Sequence, residues 1–135
     1  YTVMASLNAI GLTGWQALVA HALEMAQRLK GRLDALEYCR VLNPDTIGPS
    51  VVWWTLAKGR DARALHARAE AGEVSGAELT RTTDAVRRLY HKRERTCDPR
   101  RDPRLSFTTS IGYKPHGIAL PAWKAVFFNP RTGPD

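Results

Sequence analysis

A chain of 135 residues with 44% hydrophobic and 24% charged residues has the size and composition of one folded domain, able to form a core without disulfides or a structural metal. This balance excludes a disordered or fibrous chain, and no apolar run approaches the roughly 20 residues that cross a bilayer. The net charge of +7 is local: positions 87–104 hold eight Lys/Arg against three acids, and the remainder is close to balanced.

Positions 1–10 read as the last turns of an apolar helix with no polar cap in front, closed by Gly11, since glycine tolerates the positive φ found at helix ends. Thr13 opens a second helix, with Gln16 three residues on completing a capping box. Leu18, Val19, Ala22, Leu23, Ala26, Leu29, Leu33 and Leu36 recur at helical spacing and predict one apolar stripe ending near Leu36. The opposite face carries Gln27, Arg28, Lys30 and Asp34.

YCRVLN and SVVWWTLA follow as strands, separated by the turn residues Asn43-Pro44-Asp45 and Gly48-Pro49. In the second, Val51, Trp53 and Thr55 alternate with Val52, Trp54 and Leu56. Both sides are apolar, which places this strand inside a sheet and not at its edge. Positions 61–71 are alanine-rich and helical, and Ser75 or Gly76 starts a further helix that includes Leu79, Thr83, Val86, Leu89 and Tyr90 and ends near Arg95. Two Asp-Pro pairs make 96–103 a loop. RLSFTTSIGYK is a strand, Pro115-His116-Gly117 a turn and AWKAVFFNP a final strand. The order predicts an α+β domain, with helices covering one face of a small, largely antiparallel sheet.

Few residues have the spacing of catalytic chemistry. There is no glycine-rich phosphate loop, and the glycines around Ser75 are wrongly placed for a nucleophile elbow. His21, His66, His91 and His116 are scattered without metal-ligand spacing. Cys39 and Cys97 lie far apart and match neither a disulfide framework nor a zinc site, which predicts a reducing, cytoplasmic setting. The basic stretch contains one aromatic residue, Tyr90, where nucleic-acid surfaces interleave several. Two positions stand out as candidate substrate-binding residues. Lys124 sits mid-strand among apolar residues, where a cation is costly unless it meets an anion, and His116 occupies a turn beside two strands.

Three segments together resemble the pyridoxal-phosphate-dependent amino-acid decarboxylases of the glutamate and aromatic-amino-acid group. They are YTVMASLNAIGLTGWQALVAHALEMAQRLKGRL, the strand after NPDTIGPS, and LPAWKAVFFNPRT, and they span nearly the whole chain in the family's order. The resemblance implies an aspartate-aminotransferase-like fold of type I, in which positions 1–11 end the large cofactor-binding domain and 12–135 form the small C-terminal domain. It further implies a homodimer that expels the carboxylate of an amino acid as carbon dioxide, the cofactor ring taking up the carbanion charge. The family's cofactor lysine, found next to or soon after a histidine, and the aspartate at the pyridine nitrogen are not in this segment, so the resemblance places both upstream. Relatives often have arginine at the position of Lys124, near the substrate carboxylate. Lysine there is a point charge without the planar fork. The alternative readings are a free-standing basic α+β module binding RNA or another polyanion, and a degenerate relative kept for dimerisation or regulation.

Overall fold

A computed structural model describes positions 2–57, 59–96, 106–108 and 122–127. The first helix, α1 (Thr2–Asp34), runs through the position expected to end it, but Gly11 inside it has φ 68° and ψ 174°, so two helical segments meet at a kink. Glycine is the residue that takes such a φ without steric cost. One turn on, a Cβ at Gly14 would lie 3.0 Å from the Cβ of Ile10, so a side chain there would push the two apart by a few tenths of an ångström. The predicted break is therefore real: Gly11 separates two helical segments.

Strands β1 (Cys39–Val41) and β2 (Ser50–Thr55) form an antiparallel pair in which Val41 faces Trp53 and Cys39 faces Thr55. Asn43 extends the pairing with its side chain, donating to the Ser50 carbonyl at 3.0 Å and accepting from the Val52 amide at 2.9 Å. Helix α2 (Ala62–Glu70) is capped by Asp61, whose carboxylate accepts from the amides of Arg63 and Ala64. Helix α3 (Gly76–Thr96) starts behind Ser75, whose hydroxyl accepts from the Glu78 amide at 3.2 Å, so the serine is the cap and the glycine the first helical residue. Strands β3 (Ser106–Thr108) and β4 (Ala122–Val126) complete a four-stranded sheet of order β1-β2-β4-β3, every pairing antiparallel. Of the expected loop over 96–103, Thr96 instead ends α3; the rest of it, the turn containing His116 and the ends of the last two predicted strands lie outside the described residues.

The architecture is α+β, with β2 interior as its two-sided apolar pattern requires. The expectation that helices cover one face is corrected. Val51 and Trp53 pack with Ala26, Leu29 and Leu33 of α1, together with Val41 and Trp123. Trp54 and Val52 pack with Leu65 and Ala69 of α2 and with Val74. Successive strand residues point to opposite sides, so a strand apolar at every position needs cover on both. No helix among the described residues is long and apolar enough to cross a membrane.

Among the described side chains of α1, burial is confined to the C-terminal part. Met25, Ala26 and Leu33 are in the core, whereas Leu12 is 68% exposed, Val19 48% and Ile10 44%. Lys30, placed on the solvent face by spacing, is 4% exposed. Its ammonium donates to the carbonyls of Pro44 (3.1 Å) and Thr46 (2.8 Å), so the β1–β2 connection folds over the helix and supplies the partners that burial demands.

Candidate functional site

Lys124 lies at the centre of β4, between Val52 of β2 and Ser106 of β3. It is half-buried and shares the α2 side of the sheet with Ala122. The mid-strand placement expected from the sequence therefore holds. His116 is outside the described residues, so the structure does not bring the two together.

A cleft lies between α2 and α3, with a volume of about 580 Å³. Its floor is made by Leu56, which continues the alternation of β2, and by Leu65 of α2. Two helical stripes form its walls. On one side are Asp61, Ala64, Leu65 and Arg68, on the other Glu78, Arg81, Thr82 and Ala85. Each set follows the i, i+3, i+4, i+7 spacing that puts side chains on one helix face. Alanines at 64 and 85 leave the space that larger residues would fill.

The charges of the cleft are unequal. Arg60, Arg68 and Arg81 line it against Asp61 and Glu78. Asp61 is committed to capping α2, and Glu78 stands 3.8 Å from the Arg68 guanidinium. The side chains of Arg60 and Arg81 make no hydrogen bond or ion pair with other described residues. Among the described residues, no lysine lines the cleft. Sequence reasoning passed over these arginines because each is an isolated surface cation by position. The paired helical spacing was the signal that would have joined them.

Next to the cleft, on the same side of the sheet, α2 places His66 edge-on to Trp54, ring centres 5.8 Å apart. Burial lowers the His66 pKa from its ordinary value; the charge of Arg40 lowers it further and that of Glu70 opposes. Cys39, under the other side, is buried beside Thr55, its sulfur 3.5 Å from the hydroxyl. Burial raises its pKa more than the hydroxyl lowers it, so this thiol is held in the protonated, unreactive form.

The basic stretch is described only over its helical start. Arg87 is half-buried and 3.9 Å from Asp84 one turn back, while Arg88 and Lys92 are exposed. Tyr90, the one aromatic residue there, is turned inward: its ring meets Trp123 at 5.2 Å and belongs to the core layer. That removes from the surface the ring that base stacking would use.

No protein-family model matches the chain, and neither the curated proteins nor the solved structures contain a significant match to it.

Proposed function

We propose that this chain acts as the small, site-closing domain of a pyridoxal-phosphate-dependent amino-acid decarboxylase of fold type I, dimeric in its complete form. The observation that carries the reading is the division of α1. Its C-terminal part is packed on the sheet, while Ile10 just before the kink at Gly11 and Leu12 and Val19 after it face solvent. A helix that is core at one end and apolar but uncovered at the other suits a connector whose first half packs against a second body. The order of elements, a kinked long helix followed by an antiparallel sheet with the last strand inside it, supports the same reading.

This reading assigns the cofactor lysine to the upstream domain. Lys30 is spent on two backbone carbonyls and Lys124 lies in the middle of the sheet. No chemical step is therefore assigned to this segment. Its part is to shape and close a site whose cofactor is bound elsewhere, and alone it should neither bind the cofactor covalently nor release carbon dioxide from an amino acid.

Lys124 is the residue assigned to the substrate, as a positive charge toward its carboxylate or toward the site entrance. In the complete enzyme, Lys124→Met should raise KM with little change in kcat, the pattern of lost ground-state and transition-state binding alike. Unchanged kinetics would remove the residue from the site. The reading as a whole is tested by the frame encoded ahead of Tyr1. A large domain with a histidine-associated lysine is the expected result, and a frame without an upstream cofactor lysine overturns the assignment.

A further inference from the structure

The cleft between α2 and α3 has no part in the role proposed above, and its chemistry points to a ligand of its own. From its floor, Leu56 and Leu65 offer hydrocarbon surface, and Leu56 is only 8% exposed. At its rim, Arg60 and Arg81 present guanidinium groups with no hydrogen-bond or ion-pair partner among the described residues. The anion-attracting N-terminus of α2 is already satisfied by Asp61, so recognition here falls to the arginine side chains and not to helix amides. Arg68 is partly neutralised by Glu78, which lies on the opposite wall and ties the two helices across one end of the cleft.

We propose that this cleft binds a small amphipathic organic anion, a carboxylate or phosphate ester carrying an aromatic or branched apolar body. The anionic oxygens are taken by Arg60 and Arg81, because guanidinium groups match the planar oxygens of carboxylates and phosphates and are weakly hydrated for cations. The apolar body rests on Leu56 and Leu65, in the space left by Ala64 and Ala85. A volume of about 580 Å³ lies within the range of small-molecule sites and exceeds what one carboxylate or phosphate group alone would fill.

The test is an amide-resolved NMR titration of the 135-residue chain with four probes: phenyl phosphate, benzoate, benzyl alcohol and inorganic phosphate. The two aryl anions should give saturable shifts confined to 56–65 and 78–85, and whichever binds tighter identifies phosphate or carboxylate as the preferred head. Benzyl alcohol, lacking the charge, and inorganic phosphate, lacking the body, should each bind at least about tenfold more weakly. Arg60 and Arg81 are exposed, so the double variant Arg60→Gln/Arg81→Gln keeps the fold and should weaken phenyl phosphate by about tenfold or more. Ala85→Leu keeps every charge and should block the aryl probes by filling the cleft. Absence of saturable shifts in these segments, aryl binding undiminished in the double variant, or equal binding of either control probe would overturn the proposal. A response that remains intact in Ala85→Leu would do so as well, since it would place the ligand elsewhere.

Discussion

The two faces of the sheet are made by alternate residues of the same strands, and they differ in kind. Toward α1 stand Val51, Trp53 and Trp123, joined by Tyr90, a layer of hydrocarbon and rings. Within it the Trp53 indole donates to the Thr55 hydroxyl at 3.1 Å. Toward α2 the intervening positions are Arg40, Trp54 and Lys124, and the helix adds His66. One strand thus supplies a tryptophan to each side, but Trp53 meets apolar neighbours whereas Trp54 meets an imidazole. The comparison separates two tasks: the α1 side holds the domain together, and the α2 side, with ionisable groups and the cleft beside it, can answer to pH and to solutes.

Substitutions can break or sharpen that contrast. The largest effect is expected from Trp53→Ala, which empties the centre of the α1 side and should lower unfolding free energy by about 3–5 kcal/mol. Urea unfolding reads it directly, and a loss below about 1 kcal/mol would mean that this face is not the main core. Lys30→Met comes next. The methionine can fill the volume but leaves the Pro44 and Thr46 carbonyls without donors, at a cost of about 1–3 kcal/mol, and amide exchange over 43–50 should quicken. On the α2 side, Asp61→Ala removes two hydrogen bonds to the helix start and should cost about 1 kcal/mol.

The smallest effect, and the one that most sharpens the contrast, is a pH dependence owed to His66. Its folded pKa is lowered, so the unfolded chain binds this proton more readily. Stability attributable to the group is complete at neutral and higher pH, declines as pH falls through the ordinary imidazole range, and levels off below the lowered folded value. Replacing the imidazole, as in His66→Gln, should flatten that part of the stability profile, whereas Trp53→Ala should shift the whole profile without changing its slope there. A wild-type profile flat through the imidazole range would remove the distinction between the faces.

Much of the element order was legible because the punctuation was local. Gly11, Asn43-Pro44, Gly48-Pro49 and Ser75 each mark a boundary by backbone chemistry that needs no tertiary partner. The interior position of β2 followed from the two-sided apolar run. The same run also implied helices on both faces, a consequence that a one-sided layering overlooked. Lys30 differs for another reason: helical spacing puts it opposite the apolar stripe, and only the β1–β2 connection, folding back across α1, turns that position inward. The cleft escaped notice because it belongs to two helices at once. Each supplies a modest stripe, and no pattern within either announces that the stripes face each other. Lys124 was recognised from its strand context, and its place in the sheet agrees; a role toward substrate rests on the resemblance and on the kinetic test above.

Lys30 has one more consequence. An amine covered to 4% of its surface and held by two carbonyls is screened from acylating reagents for as long as the connection stays down on the helix. Exposed Lys92 reacts in the same tube and serves as an internal clock. The ratio of the two labelling rates therefore counts how often this hairpin lifts away, giving a chemical stopwatch for opening at one named place without any added probe.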